Sequence, residues 1–551
     1  MKYRCITNFV LPFLFLFFAI VGCNEEGIVK DDVARAEKII GLDFSDSERD
    51  SLIDDLKANL ESYEALREVI IENSVPPALD FNPLPVGFEL PKGDDEFVVS
   101  KVGILNIPEN FEDLAFWSVR DLAELIRTKK VTSLALTNMY LDRLKNYDRQ
   151  LHCVITFTEE LALKQARRAD EEIAAGKYKG LLHGIPYGVK DLLAVEGYKT
   201  TWGAMPYNTQ VINETAVVVE KLEEAGAVLI AKLTLGALAW GDVWYNGKTR
   251  NPWNIEQGSS GSSAGPSSAT SAGLVAFSIG SETWGSIVSP STRCGNTGLR
   301  PTYGRVSRTG AMALSWTMDK LGPICRSVED AAIVFNAIKG LDNIDQTLVD
   351  VPFQYNADKN IKQIKVGYVK QFFEEDSPNK KFDNETLEVL KRLGVELVPI
   401  ELPDLPVEAI SFILSAEAAA AFDELTRSNE DDLMVRQIKN AWPNVFRSSR
   451  FIPAVEYIQA NRLRYAVIQE MKKIFDKVDL YVVPSFGGNN NLLTNLTGHP
   501  CVVLPNGFDE EGSPVSISFI GNLFDEGNLL AFAKKYQDAT DFHKQYPPLF
   551  K

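Results

Sequence analysis

Residues 258–273 read GSSGSSAGPSSATSAG, with seven serines, four glycines and one proline in sixteen positions. That is the composition of a flexible linker. Yet the run passes without a break into LVAFSIGSETWGSIVSPSTRCGNTGLRP, which is mostly apolar and also rich in small residues. A spacer joins domains, and no domain boundary is evident here. The run is either a spacer or backbone kept small because something reactive sits in it.

The surroundings supply the fold class. Helices are expected at SVRDLAELIRTKK, SLALTNMYLDRLKNYD, EELALKQARRADEEIAAGK and TAVVVEKLEEAG. Strands are expected within GIPYGVKDLLAV and at AVLIAKL, VDLYVVP, CVVLPNGF and PVSISFIG. Such alternation over more than 400 residues of the chain predicts an α/β fold with a large mixed sheet covered by helices. We read 111–551 as one domain. Residues 23–110 form a helical N-terminal segment and a proline-rich strap, SVPPALDFNPLPVGFELP. In that segment Ser45 precedes acidic residues and the spaced Leu52, Ile53, Leu56, Leu60 and Leu66, the pattern of a capped amphipathic helix.

The first 22 residues have a separate character. MKYR is basic, and FVLPFLFLFFAIVG is an apolar run of fourteen, shorter than the ~20 residues of a membrane-spanning helix and suited to a signal-peptide core. It ends in Ile20-Val21-Gly22-Cys23. A branched apolar residue, a small residue and then cysteine resembles a bacterial lipoprotein processing site, with Cys23 lipidated. This predicts an exported, membrane-anchored protein of the periplasm or cell envelope.

Composition excludes several chemistries. The formal charge is −18, so the Lys/Arg surplus that neutralises phosphate backbones is missing, and no nucleic-acid partner is expected. Cys153, Cys294, Cys325 and Cys501 are far apart with no CxxC pair, which suits buried thiols rather than a zinc or disulfide framework. There is no HExxH, GxGxxG or GxxxxGK[ST], so no metal and no cofactor is expected. His183 and His499 sit beside turns and read as structural. Gly261-Ser262-Ser263-Ala264-Gly265 fits GxSxG, but that nucleophile elbow follows a strand of the main sheet, and the preceding NPWNIEQGSS is polar and turn-like. What remains is serine chemistry with a lysine from a separate apolar segment.

The block GSSAGPSSATSAGLVAFSIGSETWGSIVSPSTRCGNTGLRPTYGRVSR resembles the signature of the amidase signature family, and GIPYGVKDLLAVEGYKTTWGA resembles that family's lysine segment. The likeness runs from about residue 115 to the end. It implies a Ser–cis-Ser–Lys triad: Ser286 as nucleophile, Lys190 as base and a serine between them, preceded by a cis peptide bond. The tripeptide Gly-Ser-Ser occurs twice, but the family's spacing of 24 positions leads from Ser286 back to Ser262. Ser259 is the fallback, and Ser263 is a candidate substrate contact. The resemblance puts the oxyanion hole on the backbone of Thr283, Trp284 and Gly285 with the Ser286 N–H. Glycine is usual in the family where Trp284 stands. The indole then either walls the acyl site or turns into the core.

A lysine acts as base only when neutral, so its pKa must fall from about 10.4. Burial in an apolar pocket does that, and Ile185, Tyr187 and Val189 mark the Lys190 segment as one that can go inside. Asp191 and Glu282 are candidates to orient the site or to cap helices. Arg293, Arg300, Arg305 and Arg308 read as structural ion pairs, with a bound carboxylate as the alternative. Three functions follow. The first is hydrolysis of a small-molecule or peptide amide. The second is a glutaminase resembling the family's amidotransferase subunits, which the export signal disfavours because aminoacyl-tRNA partners are cytoplasmic. The third is a catalytically silent, lipid-anchored binding protein. The helical stretch 405–470 is a candidate wall of the substrate site.

Overall fold

Eleven strands, five of them within the segments read from the sequence, assemble into one mixed sheet in the computed structural model, which describes residues 28–551. The leader and Cys23 lie outside the described residues. In chain order the strands are β1 Val154–Phe157, β2 Pro186–Lys190, β3 Val228–Leu233, β4 Phe277–Glu282, β5 Thr297–Arg300, β6 Lys320–Cys325, β7 Lys365–Val369, β8 Glu396–Ile400, β9 Leu480–Pro484, β10 Cys501–Phe508 and β11 Pro514–Gly521. Across the sheet they run β8-β7-β9-β11-β10-β5-β6-β4-β2-β3-β1. The pairs β2/β3, β2/β4, β7/β8 and β7/β9 are parallel, and the rest are antiparallel. This is the expected α/β class with helices over a large mixed sheet.

The central strands β2, β3, β4 and β6 are buried at every position, as strands covered on both faces must be. Tyr187 and Phe277 lie opposite each other on β2 and β4 and stack at 5.1 Å. The helices read from the sequence are present as Val119–Arg127, Ser133–Leu151, Glu159–Ala174 and Val217–Glu224. Ahead of the serine-rich run, Asn254–Gly258 is a short strand, where the sequence reads as turn. It pairs only with Arg250–Asn251 in a two-stranded sheet of its own. The elbow that GxSxG requires is therefore absent there.

The chain divides into two compact units, the first ending at Ile71 and the second running from Glu72 to Lys551. In the first, helices Lys30–Ile40 and Asp46–Arg67 are joined by the Arg49–Glu37 ion pair at 2.7 Å. Ser45 caps the second helix as expected, with Glu48 closing the capping box. Residues 72–110 belong to the second unit: Glu96–Val98 pairs in parallel with Gln354–Asn356, and Phe81 lies 3.5 Å beneath the Arg464 guanidinium. The segment between β8 and β9 is helical, with helices Phe412–Ala421, Asp423–Arg427, Trp442–Ser449 and Ala454–Phe475. Trp442 Nε1 donates to the Leu238 carbonyl at 2.8 Å. Among the described residues no helix is long and apolar enough to cross a membrane.

Candidate active site

Lys190 ends β2, and Ser281 and Glu282 end β4 beside it. Because the two strands are parallel with Val189 opposite Ile279, both C-terminal ends reach the same edge of the sheet. The loop 259–263 folds across that edge before helix Ala264–Ser271 begins. The serine-rich run is therefore packed backbone, not a spacer. Lys190 Nζ lies 2.7 Å from Ser262 Oγ, 2.8 Å from Ser281 Oγ and 3.2 Å from Ser263 Oγ. All four side chains are buried. Burial lowers the Lys190 pKa to about 7, against the opposing pull of the Asp319 and Glu282 carboxylates.

The peptide bond between Gly261 and Ser262 is cis, as the resemblance implied. Gly261 is required by close approach: a Cβ there would lie 1.9 Å from the Gly241 carbonyl oxygen. Of the two candidate middle serines, only Ser262 reaches the lysine. Ser259 Oγ donates instead to the Ser260 carbonyl at 2.9 Å. Ser263, the candidate substrate contact, lies beside Lys190. Its hydroxyl is buried, donates to the Ser281 carbonyl at 3.0 Å and accepts the Ser281 N–H at 3.1 Å. Ser286 is half-buried and joins this cluster through its backbone, its carbonyl accepting the Ser263 N–H at 3.1 Å. Among the described residues no side-chain hydrogen bond links Ser286 to Ser262.

The turn from β4 to Ser286 is held from three sides. Thr283 Oγ1 donates to Asp319 Oδ1 at 2.6 Å, while Asp319 Oδ2 accepts the Leu314 and Ser315 N–H groups at 2.8 and 2.9 Å. Burial pushes the Asp319 carboxyl up, and those donors oppose it. Glu282 Oε2 accepts the N–H groups of Ile287 and Val288 at 2.8 and 2.9 Å, capping the start of helix Val288–Cys294. Its Oε1 pairs with Arg300 at 2.7 Å and accepts from Asn495 at 2.8 Å. Burial disfavours this carboxylate, but Arg300 and the surrounding donors outweigh it and hold its pKa at about 2. On the third side Asn491 stands over Gly285, which has a φ of +85°. Trp284 is 44% exposed, so it lies at the surface and not in the core.

The other candidates are structural. Arg300, Arg305 and Arg308 pair with Glu282, Glu526 and Asp345 at 2.7, 3.3 and 3.1 Å. Arg293 donates to Gln257. Asp191 is buried in an ion pair with Lys232 at 2.8 Å. His183 accepts the Lys179 N–H, and His499 stacks on Phe475 with its pKa lowered by burial to about 3. The four cysteines of the described residues are buried free thiols. Sequence reasoning missed Ser281, Asp319 and Asn491 as neighbours of the site. Ser281 had one legible signal, its place five residues before Ser286, whereas Asp319 and Asn491 come from remote elements.

A profile of the family described as Amidase matches residues 135–491. The chain belongs to the amidase signature family. It is 32% identical to a glutamyl-tRNA(Gln) amidotransferase subunit from Carboxydothermus hydrogenoformans over 485 residues, 79% of this chain and 100% of that one. Its fold matches the native peptide amidase of Stenotrophomonas maltophilia with a TM-score of 0.71 at 26% identity, covering 80% of this chain and 100% of the other. A bacterial aryl acylamidase of the amidase signature enzymes shares the fold alone, at 20% identity with a TM-score of 0.70 over 78% of this chain and 97% of that one. As an amidase-family enzyme, the protein acts on amides. Among the described residues no group of three or more His, Cys, Asp or Glu side chains is placed to hold a metal.

Proposed function

We propose that this amidase hydrolyses a carboxylic amide through an acyl-enzyme on Ser286. The observation that carries the reading is the buried Lys190 amine, with its pKa lowered to about 7, set 2.7 Å from Ser262. Above that pH the amine holds a lone pair and accepts the Ser262 proton. The relay closes when the Ser286 hydroxyl turns about χ1 toward Ser262. Ser286 Oγ then bonds to the amide carbon, and the carbonyl electron pair moves onto oxygen. The Ser286 proton passes to Ser262 as Ser262 gives its own to Lys190. The backbone N–H groups of Thr283, Trp284, Gly285 and Ser286 are the donors for the oxyanion. The C–N bond breaks, the proton returns through Ser262 to the leaving nitrogen, and ammonia or an amine departs. Water then attacks the ester by the same relay, releasing the acid and free Ser286.

A second reading, a glutaminase of the amidotransferase kind, is favoured by the curated relatives, of which this chain covers 97–100% of the length at 32–33% identity. One experiment separates these from a silent binding protein. A fluorophosphonate probe is expected to add one adduct to the parent and none to Ser286→Ala. A panel of amides that includes glutamine, scored by release of ammonia or amine, then assigns the substrate. No adduct on folded protein between pH 7 and 9 would favour the silent reading.

We also propose that Cys23 carries lipid and holds the enzyme at the cell envelope. The support is the basic start, the fourteen-residue apolar run and the Val21-Gly22-Cys23 ending. Labelled palmitate is expected to enter the full chain and not Cys23→Ala. Equal labelling of both would overturn the anchor.

A further inference from the structure

Asn491 lies in helix Asn490–Leu496, more than two hundred residues from the nucleophile turn that it faces. Its Oδ1 accepts from Arg300 Nη1 at 3.2 Å and from Asn495 Nδ2 at 3.0 Å. Two donors converge on that atom, and one of them is a guanidinium with no acceptor capacity. The oxygen therefore faces Arg300, and the amide cannot be flipped without setting NH₂ against a cation. The nitrogen is left pointing the other way, at the oxyanion turn. A Cβ built on Gly285 would lie 2.7 Å from Asn491 Nδ2. The residue is half-buried, on the side of the turn that solvent reaches.

A fixed amide donor over the residue before the nucleophile is suited to charge that appears only during the reaction. Taking Ser286 as nucleophile, as proposed above, the geometry points to Asn491 Nδ2 as a side-chain donor to the oxyanion of the tetrahedral intermediate, supplementing the backbone N–H groups. Its orientation is set from behind by Arg300, which the buried Glu282 carboxylate holds in turn. The same carboxylate caps the Ile287 and Val288 N–H groups. One ion pair thus positions both the nucleophile turn and the donor that faces it. Gly285 is the residue that leaves room, since any side chain there would meet the amide.

The test uses the fluorophosphonate probe, whose phosphoryl oxygen gains negative charge as the serine attacks. Labelling of the parent, Asn491→Leu and Asn491→Ala is resolved into the binding constant KI and the maximal rate kinact. Loss of one such donor is expected to lower kinact by about 10²–10³ with KI within about threefold. Affinity for phenylboronic acid, a tetrahedral mimic, is expected to fall with kinact. If Asn491→Leu does not fold, Asn491→Ala carries the same comparison. A kinact within threefold of the parent in the folded variants overturns the donor role. So does a joint loss of KI, kinact and thermal stability, which would assign Asn491 only to seating Arg300. Ser286→Ala, run alongside, keeps the two readings apart. An adduct that survives in it overturns the nucleophile assignment, and with it the place of the oxyanion.

Discussion

Lys190 Nζ and Ser262 Oγ lie 2.7 Å apart in a fully buried cluster, although 72 positions separate them in the chain. Neither strand geometry nor helix periodicity alone brings them together. The parallel pairing of β2 with β4 carries the lysine to the sheet edge, and the packed loop 259–263 crosses that edge above it. What each residue contributes to activity and to stability can be separated by four experiments.

Lys190→Met removes the base and leaves the packing. Labelling of Ser286 is expected to fall by at least ~10²-fold, while the parent's rate rises with pH through about 7 and then levels. The variant should lose activity yet gain stability at low pH. The folded pKa is below the ordinary lysine value of 10.5, so between about 7 and 10.5 the unfolded chain binds the extra proton and parental stability rises with pH. Below pH 7 the buried ammonium opposes folding. There Lys190→Met is expected to melt higher than the parent, by roughly 1–3 kcal/mol. Thermal unfolding at pH 6 and pH 10 checks this; a variant equally destabilised at both would contradict it.

Ser262→Ala and Ser259→Ala divide the two Gly-Ser-Ser tripeptides. The first should slow labelling by about 10²-fold or more, because it removes the hydroxyl next to Lys190. The second should change the rate by less than about threefold, since Ser259 Oγ only serves the Ser260 carbonyl. Intact-mass time courses read both, and similar rates for the two variants would undo the assignment.

Glu282→Gln leaves the buried Arg300 guanidinium without its counter-charge. Breaking such a pair costs about 3–5 kcal/mol. The Glu282 pKa is lowered from the ordinary 4.5 to about 2, so its contribution is complete above pH 4.5 and is lost as pH falls through 2. Denaturant titrations should therefore show the largest gap between parent and variant near neutrality and a shrinking gap below pH 4. A gap independent of pH would mean that the carboxylate's charge is not what stabilises the turn.

Gly261→Ala places a methyl 1.9 Å from the Gly241 carbonyl oxygen. That contact is with backbone, which has no rotamer to relieve it. We expect a loss of about 3 kcal/mol or more of stability together with loss of labelling. Near-parental melting would show that the loop moves freely of segment 236–242.

Five of the eleven strands, the four helices between 119 and 224, and the resemblance that points to Lys190, Ser262 and Ser286 were legible because each is local. Periodicity writes elements into a sequence, and a long signature block carries a family resemblance, whereas a dense run of glycine and serine by itself reads as a linker. The site's supports were not legible. Ser281 was one small residue among many, and nothing in the spacing of Asp319 or Asn491 says that they meet Thr283 and Gly285. Those meetings depend on the register of β4 against β6 and on where helix Asn490–Leu496 docks. Orientation was likewise beyond the sequence: whether Trp284 faces solvent, whether Ser263 is free, and which way the Asn491 amide points. By itself the sequence determined which residues carry reactive atoms, and it marked five of the eleven strands of the sheet. Only the tertiary structure decided which atoms face one another and how far the lysine is desolvated, because burial and hydrogen-bond direction come from contacts between segments remote along the chain.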